Sequence, residues 1–150
     1  METHTDPIHT HTFLGNFFAV PFIWMMIIPA VILDIFLEIY HHAAFPLYGI
    51  PLVVRSQYIR IYDRAKLPYL TWYEKINCAY CGYVNGLLHY ASVIAGKTES
   101  YWCSVAHLEV RGYKPTIYEK QFAKYGDEAA LRRRYYIHDQ EFGPEFKEQN

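Results

Sequence analysis

The sequence predicts a mainly α protein: one N-terminal transmembrane helix followed by a small helical cytoplasmic domain with a Cys/His metal knuckle. Three observations predict it. Residues 13 to 33 contain no charged side chain. Every Lys and Arg lies at or after Arg55. Three cysteines and a histidine fall in a C-x2-C, long spacer, C-x3-H arrangement. A chain of 150 residues has room for one domain and an anchor.

Residues 1 to 12 read as a flexible tail, and His4, His9 and His11 within it as solvated. The stretch FFAVPFIWMMIIPAVIL from Phe17 to Leu33 opens a helix predicted over residues 13 to 40. About 20 apolar residues suffice to cross the hydrocarbon core. Pro21 and Pro29 are better tolerated in a membrane helix, where they produce kinks. A buried core helix and a cleaved signal peptide are the competing readings. The second fits poorly, because no Lys or Arg precedes the apolar run. Arg55, Arg60, Arg64 and Lys66 are the first bases after it, so the positive-inside rule places the C-terminal part in the cytoplasm. The apolar segment AAFPLYGIPLVV is too short to span and is interrupted by Pro46, Gly49 and Pro51. Residues 41 to 54 are therefore expected as an interfacial loop.

The cytoplasmic domain is expected over residues 55 to 138. Arg55 to Lys66 mixes Tyr and Ile with bases and suits a helix on the membrane surface, or an ordinary amphipathic one. Tyr83 to Ala95 has helical period, with Gly96 as a stop. Thr116-x-x-Glu119 is a capping-box pattern that opens a helix toward Tyr125. Asp127-Glu128 opens a last helix that ends in Arg132-Arg133-Arg134, acid first and base last as the helix dipole favours. Tyr101 to Val110 fits strand or helix. Residues 139 to 150 read as a frayed tail.

Cys78, Cys81, Cys103 and His107 are the predicted metal ligands. Thiolate and imidazole donors suit tetrahedral zinc, with iron the alternative. The spacing closes only if the chain turns back after Gly96; a helix running from Trp72 past Gly96 would carry Cys103 away. The competing reading is three apolar thiols. His89 is a weaker ligand candidate. A haem attachment is excluded, because Gly82 and not His follows Cys81.

Asp34, Glu38 and His41 share one helix face at i, i+4 and i+7. They mark either the point where the helix leaves the bilayer or a metal or proton site.

The stretch Trp72-x-Glu74-Lys75-x-Asn77-Cys78-x-Tyr80-Cys81, with Asn85-Gly86 and Tyr101-Trp102-Cys103, resembles an uncharacterised family of small bacterial inner-membrane proteins. The resemblance covers about a quarter of the chain and implies location in the inner (plasma) membrane, with no assigned activity. Four functions stand as expectations, the last being a purely structural membrane subunit without metal. The first is a membrane-anchored interaction or assembly module with a structural zinc, its partners the bilayer and a protein at the membrane, with the Arg132 to Arg134 run contacting that protein or anionic lipid. The second is electron transfer through thiolate-bound iron. The third is a metal-dependent enzyme using Glu74 or Glu99. A nucleic-acid partner is not expected, since one short Arg run makes no basic groove.

Overall fold

A computed structural model of the chain describes residues 13 to 141. The expected N-terminal tail, with its three histidines, and residues 142 to 150 lie outside the described residues. Four α-helices form: α1 Phe13–Met25, α2 Ile27–Tyr48, α3 Trp72–Trp102 and α4 Glu128–Glu141. Short 3-10 turns stand at Arg55–Gln57, Arg64–Lys66 and Glu119–Gln121. Among the described residues the only bridge is a single parallel pairing of Val105 with Ala123.

The break between α1 and α2 is local chemistry. Pro29 has no N–H to offer the Met25 carbonyl, and its ring crowds that same carbonyl. It sits in the first turn of α2, where a missing N–H leaves nothing unpaired. Across this break, Phe17 to Tyr48 is long and apolar enough to cross a membrane, with a mean hydropathy of 2.3 and only 11% burial over its most apolar stretch. Phe22 is 69% exposed and Phe36 is 68% exposed, values far from those of a soluble core helix.

α2 runs further than the sequence suggests. It absorbs His41 to Tyr48, expected as part of a loop, with Pro46 inside its last turn. It ends where Gly49 takes a left-handed conformation (φ 72°) and gives its N–H to the Phe45 and Pro46 carbonyls. Only Gly meets that φ without a Cβ penalty.

α3 corrects the expectation of a helix from Tyr83 to Ala95. It starts eleven residues earlier and passes through Gly96 for 31 residues in all. Its start is a capping box: the Thr71 N–H donates to Glu74 Oε2 at 2.8 Å. Gly96 does not stop the helix; it is where the Tyr118 ring packs against α3. A Cβ there would collide with the Tyr118 ring.

Contacts climb together along both long helices. The Ile23 carbonyl accepts from the Tyr80 hydroxyl, Asp34 meets Tyr83, His41 meets Tyr90, and Tyr48 stacks on Tyr101. α2 and α3 therefore run side by side in the same direction, while α1 meets α3 at Tyr80. Residues 49 to 71 must then return along them.

That return segment is not the expected helix over Arg55 to Lys66; only the two 3-10 turns form. Its backbone lies directly on α3 at Gly82 and Gly86. A Cβ at Gly82 would meet the Arg60 carbonyl oxygen at 2.6 Å, and one at Gly86 would meet that of Tyr58 at 2.7 Å. This Gly-x-x-x-Gly spacing gives the close approach that small residues allow between helices, used here for an extended strap. Phe45, Val53, Leu87, Tyr90, Val93 and Ile94 form the core where α2, strap and α3 meet.

Beyond α3 the chain is mostly irregular. Thr116 and Glu119 do not open the expected helix. The Glu119 N–H does reach Thr116 Oγ1, but the carboxylate is drawn elsewhere: it accepts from the His107 N–H at 2.7 Å and from the Tyr113 hydroxyl. Those bonds, led by the Tyr113 hydroxyl, hold the Glu119 carboxyl below its ordinary value of 4.5. A depressed carboxylate stabilises the fold fully above the unfolded value and progressively less as pH falls through the folded one. The protection of the His107 amide, measured against its intrinsic exchange rate, should fall below about pH 4.5, and Glu119→Gln should flatten that response. An unchanged acid profile in Glu119→Gln would remove Glu119 from the account. α4 forms as the acid-to-base pattern predicts. Asp127 accepts from the Ala130 N–H at 2.9 Å, and the helix continues past Arg134 to Glu141.

Candidate functional site

The predicted Cys/His knuckle does not assemble. Cys78 and Cys81 lie one turn apart near the start of α3, while Cys103 is its C-cap. At 1.5 Å per residue, an unbroken helix places Cys103 about 37 Å from Cys78. His107 follows Cys103 in the segment beyond, its N–H held by Glu119. The correction has a physical cause: the Gly96 turn that would fold Cys103 back is instead the contact point for Tyr118. All three thiols are free. Glu74 is spent on the α3 cap. His89 packs edge-on to Tyr58, with ring centroids 5.0 Å apart. It shares with Cys81 a surface groove of about 320 Å³, also lined by Arg60 and Asp63, but sits about 12 Å further along the helix.

The structure instead organises around the second polar cluster. Asp34, Glu38 and His41 form one stripe of α2, turned toward strap and α3. Arg55, the first base of the chain, reaches into it from the strap. Its Nη2 donates to Asp34 Oδ2 and its Nη1 to Glu38 Oε1, both at 2.7 Å, and Nη1 also contacts Asp34 Oδ1. This bidentate fork is the geometry that makes guanidinium–carboxylate pairs strong. Tyr83 of α3 donates to Asp34 Oδ2 at 2.8 Å. Burial, and then this bond, push the Tyr83 hydroxyl up to about 12. Bonding to Asp34 also raises Arg55 above its ordinary value.

The network continues through a fully buried imidazole. His41 Nε2 accepts the Val53 N–H at 2.9 Å, so that nitrogen carries no proton. The neutral ring then bears its proton on Nδ1, which donates to the Tyr90 hydroxyl at 3.0 Å. Burial first, then the nearby Glu38 charge, push the Tyr90 hydroxyl up to about 12, and the Arg55 guanidinium lies over the Tyr90 ring, 5.9 Å from its centroid. Hydrogen bonds thus link Val53, His41 and Tyr90 in one group and Glu38, Arg55, Asp34 and Tyr83 in another, and the Arg55–Tyr90 contact joins the two. Together they join all three elements of the core. Among the described residues no buried side-chain polar atom lacks a partner.

Comparison with protein-family models, with curated proteins and with solved structures returned no match. The chemistry of the site therefore rests on its geometry.

Glu38, His41 and His42 bring their donor atoms within 4.8 Å of one another, close enough to consider a cation. Three contacts oppose that use. Both His41 nitrogens are committed. Glu38 is already paired with Arg55, whose positive charge would face the ion. His42 Nδ1 lies 3.1 Å from Glu38 Oε2 and 3.0 Å from the Glu38 carbonyl oxygen, as a protonated ring nitrogen would. The arrangement works as a satisfied clamp that fixes strap and α3 on the anchor helix, with no vacant donor aimed at a common centre.

The stripe on α2 was legible in the sequence; Arg55, Tyr83 and Tyr90 as its partners were not. A signal existed for Arg55. Two acids on one face of an apolar helix need a countercharge, and Arg55 is the nearest base in the chain.

Proposed function

We propose that this chain is a membrane-anchored interaction or assembly module, with the uncharged run of residues 13 to 33 as the membrane span and the rest of α2, the strap, α3 and the segment beyond as a cytoplasmic platform. The observation that carries it is the apolar run Phe17–Tyr48, of which only 11% is buried over its most apolar stretch. Leaving so much apolar helix in water would be strongly unfavourable at about 25 cal/mol per Å². Lipid removes that cost. The concentration of bases after the run supports the orientation. The clamp supports a structural role for the polar stripe: strap and α3 are held rigidly against the anchor, a fixed surface for a partner at the membrane.

The full chain with a C-terminal reporter tests this. Expressed in bacteria, it should stay with the membrane pellet after alkaline carbonate extraction. A fluorescent-protein fusion should be bright and an alkaline-phosphatase fusion silent. The intact N-terminal mass should be retained, since a signal sequence would be cleaved. Release by carbonate, or loss of the first residues, would overturn the anchor; an active phosphatase fusion would overturn the orientation.

A further inference from the structure

We propose that the first turns of α3 and the loop before them form a second lipid contact, an interfacial surface for anionic headgroups beside the anchor helix. It rests on the membrane reading above and names a surface that the anchor does not itself supply.

Trp72, Ile76, Tyr80, Tyr83, Leu87 and Tyr90 recur at helical spacing and form one face of α3. From Tyr80 onward that face packs on the anchor helix: the Tyr80 ring lies 5.0 Å from the Trp24 ring, and Leu87 and Tyr90 are fully buried. Among the described residues no helix packs on the same face before Tyr80. α1 continues with its apolar faces exposed, while Trp72 is 75% exposed and Ile76 is 46% exposed. The loop beside it adds Tyr62 and Tyr69, 77% and 75% exposed. A wedge therefore opens between α1 and the start of α3, and aromatic and aliphatic side chains border it on both sides.

The occupant follows from composition and continuity. One wall of the wedge is the helix proposed to stand in lipid, so lipid reaches the other wall without leaving the bilayer. Trp and Tyr are the residues that favour the headgroup level, because their rings are apolar and their tips polar. Arg64, Lys66 and Lys75 flank them. Of the nearby acids, Asp63 caps its own turn through the Arg64 N–H at 2.8 Å, and Glu74 is held by Thr71. Lys66 is exposed and Lys75 half-buried, while Arg64 lines the neighbouring groove beside Cys81; such bases attract anionic headgroups.

The three tryptophans of the chain make a depth gauge. Three full-length variants, each keeping Trp24, Trp72 or Trp102 with the other two changed to Phe, are reconstituted in vesicles containing phosphatidylglycerol. Lipids brominated near the headgroup or near the chain end then quench emission. Trp24 should be quenched most by deep bromine, Trp72 most by shallow bromine, and Trp102 by neither. Lys66→Glu with Lys75→Glu should reduce the shallow quenching of Trp72 and leave Trp24 unchanged. Quenched Trp24 with unquenched Trp72 overturns the second surface and leaves the anchor standing. Unquenched Trp24 with shallow quenching of Trp72 overturns the anchor and supports the surface. Emission of Trp72 that responds to protein density and not to bromine assigns the wedge to a second copy and overturns the proposal.

Discussion

Replacing Arg55 with Ala should destabilise the folded chain by about 2–4 kcal/mol, because it strands two carboxylates on an apolar helix. The Asp34 side chain keeps only 14% of its surface exposed, and Glu38 29%. Neither has another full positive charge within bonding distance among the described contacts. Arg55 itself stays 38% exposed, so solvent screening lowers the cost below that of a fully enclosed pair. Truncation also removes the guanidinium from over the Tyr90 ring, 5.9 Å from its centroid. The measurement is thermal or denaturant unfolding of the full chain in detergent micelles. A cycle with Asp34→Asn and Glu38→Gln separates charge from packing: in that neutral background the Arg55→Ala penalty should shrink by more than half. A penalty of a few tenths of a kcal/mol in the original background would reduce the network to an ordinary surface pair.

The double change Gly82→Ala with Gly86→Ala should also destabilise, and here the sign alone is decisive. On helix propensity each Gly-to-Ala change inside a long helix stabilises by up to about 1 kcal/mol. In this fold both new Cβ atoms would press on strap backbone at 2.6 to 2.7 Å. Backbone cannot rotate away as a side-chain tip would, so the strap must lift. Overpacking of this kind costs about 1–3 kcal/mol. Lifting the strap also draws Arg55 from Asp34 and the Val53 N–H from His41, so the two alanines should couple to the clamp. Proteolysis should report it as new cleavage between residues 55 and 66. A stabilised double variant would show that strap and helix do not touch at these glycines.

Both predictions concern one joint, and the sequence showed only its two halves. The i, i+4, i+7 stripe of Asp34, Glu38 and His41 was plain from helical periodicity. Its meaning depended on a residue 14 positions beyond His41. Gly82 and Gly86 looked like ordinary helix glycines until strap backbone lay against them. At the thiols, Cys78 and Cys103 converge or separate according to whether Gly96 ends the helix. A glycine that breaks a helix and one that admits a neighbouring ring are the same letter.

What the sequence determined by itself is what acts within about four residues: the uncharged run, its break at Pro29, the Thr71–Glu74 and Asp127 caps, and the polar stripe. The Thr71–Glu74 box was readable and outweighs the periodicity that suggested a start at Tyr83. Tertiary structure decided the rest: the passage of α3 through Gly96, the diversion of Glu119 from a cap to His107 and Tyr113, and the union of Arg55, Tyr83 and Tyr90 with the stripe. The reason is physical. Caps and periodicity are satisfied by bonds between near neighbours in the chain, whereas a buried charge or a missing Cβ acquires its role from whichever distant segment is packed against it.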